Sequence, residues 1–121
     1  DQPKFLFEYG QCLSKTGQYE EGIRILTEGT RLSADPMFYN IMGKDAEALK
    51  HFGQAEACFK QASYMVPHRL YPLYLLAKLY FASGQSEKGR DMARQVIQKA
   101  PKVMSDAVKE MKAELEERLK P

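Results

Sequence analysis

The feature that most constrains this chain is a four-point pattern written twice, 34 residues apart. Ala55, Phe59, Ala62 and Pro67 stand at offsets of 0, 4, 7 and 12, and Gly89, Ala93, Val96 and Pro101 repeat those offsets. Offsets of four and seven return to one face of a helix, and the proline stops that helix. A face that presents a small residue at nearly every turn lets a neighbouring helix approach closely. The period shows that the unit is copied, so the chain is expected to stack like units side by side.

Around that pattern the chain divides into similar stretches. In residues 3–35, Leu6, Tyr9, Gly10 and Leu13 fall at i, i+3, i+4 and i+7, which predicts an amphipathic helix with these four on its buried face. Gly17-Gln18 breaks it. Tyr19-Glu20-Glu21 opens a second helix whose early acidic residues suit its positive end and whose inner face carries Gly22, Leu26, Gly29 and Thr30. Pro36 begins the next stretch, 36–69, in which Tyr39, Met42, Gly43 and Ala46 repeat the first-helix pattern. The turn there reads as less regular, with Lys50 where glycine is expected and Gly53 three residues later. The third stretch, 70–103, carries Leu73, Leu76, Ala77 and Tyr80, and its Gly84-Gln85 repeats Gly17-Gln18. From Ser105, a plausible N-cap, Val108, Met111, Leu115 and Leu119 make a single apolar stripe, so 105–119 is expected to cap the stack. Lys112–Glu116 and Glu114–Arg118 stand at the spacing of helical ion pairs. Seven helices follow, with no strand signal.

Composition narrows the function classes. The 121 residues suffice for one domain, and a formal charge of +2 gives no basic stripe for nucleic acid. No apolar run reaches the roughly 20 residues that cross a bilayer. Cys12 and Cys58 show neither CxxC nor zinc spacing and read as small, buried or half-buried thiols. His51 and His68 read as isolated surface histidines, and no metal, nucleotide or catalytic motif is found, so no cofactor and no catalysis are expected.

The residues at these positions resemble the tetratricopeptide repeat over about residues 3–103. The family pattern of a small, an aromatic, a small residue and proline in the second helix is met in full by Ala55, Phe59, Ala62 and Pro67. The outer repeats depart from it with Gly22, Leu26, Gly29 and Ala34, and with Gly89, Ala93 and Val96. The resemblance implies an all-α, right-handed helical solenoid: three helix–turn–helix repeats (3–35, 36–69, 70–103) and a C-terminal capping helix, in one domain spanning 1–121. It also implies a non-catalytic scaffold for a protein or peptide partner. Some members grip a C-terminal carboxylate with a lysine–asparagine clamp. Phe7, Gln11, Met37 and Ile41 stand where it would begin, so the clamp is absent.

A narrower resemblance is to the C-terminal repeat domain of O-antigen ligase/polymerase-like membrane proteins of the Bacteroides group. It is carried by Ser63-Tyr64-Met65-Val66-Pro67-His68-Arg69-Leu70-Tyr71-Pro72, by Leu75-Leu76-Ala77-Lys78-Leu79-Tyr80 and by Pro101-Lys102-Val103-Met104-Ser105. It implies a periplasmic accessory domain whose partner is the membrane-embedded part of its own parent protein; otherwise a cytoplasmic location is expected.

Beside the buried stripe, each first helix has a second stripe that the resemblance places on the inner, concave side. The candidate groove residues there are Phe7 and Gln11, then Asn40 and Lys44, then Tyr71, Tyr74, Lys78 and Phe81. The last four put three aromatics and a lysine at i, i+3, i+7 and i+10, offering apolar area and a cation to a carboxylate or phosphate. Two readings of that rung stay open: a binding surface for an extended peptide or helix, or rings closed over by the terminal helix. Phe5 and Phe7 are expected at an exposed N-terminal edge, where a preceding repeat would pack.

Overall fold

The computed structural model describes residues 1–101 and 104–121. Among these, seven helices follow one another: α1 (Gln2–Lys15), α2 (Tyr19–Thr30), α3 (Met37–Ala48), α4 (Phe52–Met65), α5 (Tyr71–Ala82), α6 (Ser86–Gln98) and α7 (Asp106–Leu119). The fold is all-α, helix–turn–helix pairs followed by a capping helix. Positions 102 and 103, the expected end of the third repeat, lie outside the described residues. The chain forms two compact units, 1–62 and 63–121, with the boundary inside α4.

One turn is used three times. After α1, the Gln18 N–H donates to the Leu13 carbonyl at 2.8 Å and that of Gly17 to Ser14 at 3.1 Å, a Schellman closure. After α3, His51 donates to Ala46 at 2.8 Å, and after α5 Gln85 donates to Tyr80 at 2.8 Å. The closure requires a left-handed residue, supplied by Gly17 (φ +82°) and Gly84 (φ +79°). In the middle copy Lys50 takes φ +62° instead, while Gly53 lies within α4. The irregularity expected from the sequence is therefore absent: a lysine bears the strain, and the geometry is kept.

In unit 1 the small residues are notches that rings fill. A Cβ on Gly29 would lie 2.2 Å from the Phe38 ring, and one on Gly43 would lie 2.4 Å from the Phe59 ring. Leu26, Phe38, Ile41, Met42 and Cys58 form one buried cluster. Leu26 and Phe59 are fully buried, each contributing about 1.5–3 kcal/mol of transfer free energy. Gly43 is buried, as the stacking argument requires.

Two expectations for α1 fail. Tyr9, placed by its spacing on the buried face, is 42% exposed; among the described residues α1 packs on α2 and, less, on α3, and neither covers that ring. Phe7, expected at an open edge, is half-buried in an edge-to-face contact with Phe38, centroids 5.2 Å apart. Of the two cysteines expected buried or half-buried, Cys58 is buried but Cys12 is exposed, on the same uncovered side of α1 as Tyr9; both are free thiols.

Unit 2 is built around Leu70, Ala77, Ala93, Val96 and Leu115, with the α7 stripe (Val108, Met111, Leu119) packed against them. Ser105 caps α7 as expected, its hydroxyl accepting from the Val108 N–H at 3.2 Å. The intrahelical pairs expected on α7 are not what forms. Lys112 donates to the Ile97 and Lys99 carbonyls at 3.1 and 2.8 Å, closing the negative end of α6. Glu114 turns to α5 and pairs with Lys78 at 3.2 Å while staying half-exposed.

Candidate functional site

The α5 rung is one connected set. The Tyr71 and Tyr74 rings stack with centroids 6.1 Å apart. The Tyr74 hydroxyl donates to Glu114 Oε1 at 2.7 Å, and Lys78 Nζ donates to the Tyr74 oxygen at 3.1 Å. Lys78 also pairs with Glu114 at 3.2 Å and sits 5.0 Å from the Tyr74 ring centroid. Phe81 lies against Gly89 of α6, with the Arg118 guanidinium 4.9 Å over its ring. α7 therefore covers much of this rung.

The charges respond to each other. Burial and the bond to Glu114 raise the Tyr74 hydroxyl. Burial works against the charged forms of Lys78 and Glu114, but hydrogen bonds outweigh it: the lysine moves up and the carboxyl down. Beside this network a cavity of about 680 Å³ opens between the start of α5, the start of α7 and the loop that carries His68 and Arg69. Tyr71 and Tyr74 form one wall, Leu70, Val108 and Met111 an apolar one, and Glu110 and Glu114 add carboxylates. Among the described residues the Arg69 side chain has no hydrogen-bond or ion-pair partner, and it is exposed.

In unit 1 the candidates are differently placed. Phe7 is spent on Phe38, Gln11 is half-buried and Lys44 is exposed. Asn40, expected on the groove, is 2% exposed: its Nδ2 lies 3.5 Å from Met37 Sδ, and among the described residues its Oδ1 has no partner.

The residue sequence reasoning missed is Asp45. It is 1% exposed, and its Oδ2 accepts from the Ser14 hydroxyl at 2.9 Å. Burial pushes its carboxyl up to about 6 against the pull of that hydrogen bond. Cys58 is raised to about 11 by burial, with Asp45 adding to it. A Cβ on Gly22 would stand 2.9 Å from Asp45 Oδ2, so glycine there makes room for the carboxylate. The available signal was an acidic residue at i+3 from Met42, i+4 from Ile41 and i+7 from Phe38, on a helix side that is otherwise large and apolar.

Comparison with known proteins agrees with this architecture. Family models described as tetratricopeptide repeat match residues 3–36 and 73–102. No curated protein matches the chain. A similar solved structure is the first TPR of Spaghetti (RPAP3) bound to an HSP90 peptide, SRMEEVD. It is 19% identical, with a TM-score of 0.77 over 98% of this chain and 95% of that one.

Proposed function

The chain belongs to the tetratricopeptide-repeat family, and from that premise we propose that it is a non-catalytic scaffold that binds a protein or peptide partner. The observation that carries the reading is the α5–α7 cavity, walled by stacked tyrosines and aliphatic side chains and rimmed by Arg69. That combination suits a peptide that places an apolar side chain against Leu70, Val108 and Met111 and a carboxylate near Arg69. The candidates Tyr71, Tyr74, Lys78 and Phe81 belong to this surface. Phe7, Gln11, Asn40 and Lys44 are the matching positions on α1 and α3. A peptide in the similar solved structure supports the partner class. The clamp positions Phe7, Gln11, Met37 and Ile41 argue against that same peptide here.

The alternative, an accessory domain that docks on the membrane-embedded half of a glycan ligase or polymerase, draws on the narrower sequence resemblance alone. Among the described residues no helix is long and apolar enough to cross a membrane. Fluorescence anisotropy with labelled ten-residue peptides (acidic–apolar, basic–apolar and polar) tests the peptide reading. Tyr71→Ala and Arg69→Glu should each weaken binding of the acidic–apolar peptides at least about tenfold with melting unchanged. Equal binding by the variants would remove the cavity from the reading.

A further inference from the structure

The cavity beside the tyrosine pair is bordered by one charge that the proposed function leaves unused. Along α7, Ala107, Glu110, Met111 and Glu114 stand at i, i+3, i+4 and i+7, and all four line the cavity. The two carboxylates on that face differ in their surroundings. Glu114 is engaged by the Tyr74 hydroxyl and by Lys78, so its charge is answered within the chain. Glu110, one turn nearer the start of α7, is exposed and has no hydrogen-bond or ion-pair partner among the described residues. Arg69 is in the same condition on the loop before α5.

A ligand entering this cavity therefore meets two unanswered charges of opposite sign on separate walls, with Leu70, Val108 and Met111 as the apolar lining. On the reading of the cavity as a peptide site, we infer that its ligand is dipolar: an apolar residue flanked by an acidic residue that meets Arg69 and a basic one that meets Glu110. Alternate side chains of an extended peptide face the same way, so each charged residue stands two positions from the apolar one. The tyrosine wall suits this ligand, because a phenol face accepts the stem or head of a cation as well as an aliphatic group. A wholly acidic peptide is drawn to Arg69 but repelled by Glu110, and a wholly basic one meets the reverse. Glu114 adds little to either effect, since Lys78 already balances it. The aliphatic residues supply the hold, and Arg69 and Glu110 select the partner.

Fluorescence anisotropy with two labelled ten-residue peptides tests this. Both carry an aspartate two residues before a leucine; two residues after it, one has a lysine and the other a glutamate. The intact chain should bind the lysine peptide about fivefold more tightly than the glutamate peptide, and the preference should fade in high salt. Glu110→Lys should reverse the order, and Glu110→Gln should bring the two peptides within about twofold of each other. Neither change should move the melting temperature by more than about 2 °C, because Glu110 is exposed and unpartnered among the described residues. Equal binding of the two peptides by the intact chain overturns the inference, as does an order that Glu110→Lys leaves unchanged. If Arg69→Glu still weakens both peptides in that case, the cavity stands as the peptide site and only the selection by Glu110 falls. Binding that is indifferent to Arg69, Tyr71 and Glu110 alike overturns the inference and the peptide reading together.

Discussion

Unit 1 and unit 2 solve the same packing problem with opposite materials. At one repeat position unit 1 has Gly29, whose missing side chain is replaced by the Phe38 ring, while 67 residues later unit 2 has Val96, buried beside Leu115 of α7. Their carboxylates differ in the same spirit. Asp45 is buried with one hydroxyl for company and is pushed up to about 6. Glu114 meets a lysine and a phenol at a half-open surface and is pulled down. Small residues in a repeat are therefore not interchangeable, and neither are acidic ones: each is fixed by what the next helix brings to it.

Exchanging the packing residues gives the largest expected effect. Gly29→Val writes the residue of unit 2 into unit 1, where its Cβ would collide with the Phe38 ring. Overpacking of this kind costs about 2–3 kcal/mol after the better helix propensity of valine is allowed for, a fall of roughly 10 °C in melting temperature. Val96→Gly should lose a comparable amount for the opposite reason, a cavity. Thermal unfolding of the two variants checks both, and tolerance of Gly29→Val would undo the notch argument.

The carboxylates give the next largest. A carboxyl whose folded-state value lies above its unfolded value near 4 opposes folding while charged, so Asp45 penalises the fold above about pH 6 and sheds that penalty as the pH falls from about 6 toward 4. The local geometry suits the protonated form. Asp45 can then donate to Ser14, and Ser14 to the Gly10 carbonyl, whose oxygen lies 3.0 Å from the hydroxyl. Asp45→Asn should stabilise the chain by about 2 kcal/mol at pH 7.5 and by only about a third of that at pH 4.5. Urea titrations at the two values measure it, and a wild-type stability that does not rise on acidification over this range would contradict the buried charge.

The turns come third. Lys50 does in unit 1 what Gly84 does in unit 2, at φ +62° against +79°. Left-handed backbone costs a residue with a side chain about 1–2 kcal/mol, and glycine gives back roughly half of that in chain entropy. Lys50→Gly should therefore raise stability by about 0.5–1 kcal/mol, whereas Gly84→Lys should lower it by a similar amount, read from denaturant midpoints.

How far the sequence carries follows from which forces it writes down. Spacing reports which side of a helix is apolar, so the seven helices, the Ser105 cap and the buried Phe59, Ala77 and Leu115 were all legible. Spacing does not report whether a neighbour exists, and for that reason it puts Tyr9, in register with Met42 and Leu76, on the buried face with Leu6 and Leu13, although Tyr9 itself is exposed. Nor does it tell a solvated charge from a docked one. Glu114 looks like any glutamate on a charged helix face until α7 is laid on α5, and Asp45 looks exposed until α2 covers it. Of the candidate groove residues, the period puts Tyr71, Tyr74, Lys78 and Phe81 on one helix, α5, but leaves α7 as their neighbour only one of two open readings. The burial of Asn40 depends on surroundings that periodicity does not encode.

The smallest effect separates the two carboxylates most sharply because its sign in pH is opposite. Glu114 is held below its ordinary value in the folded chain, so its contribution is present above about pH 4.5 and is lost as the pH falls through the folded-state value. Its side chain is 41% exposed, and solvent screening limits a pair of this kind to about 0.5 kcal/mol. Glu114→Gln should cost that much at pH 7, and the cost should shrink in high salt and vanish as the pH falls through the lowered folded-state value. In the double variant with Asp45→Asn the stability profile should flatten between pH 7 and 4.5, with the remaining acid limb shallower than in Asp45→Asn alone. A variant that loses well over 1 kcal/mol would mean that Glu114 clamps α7 to α5 rather than trimming a surface whose hold comes from Leu115 and its apolar neighbours.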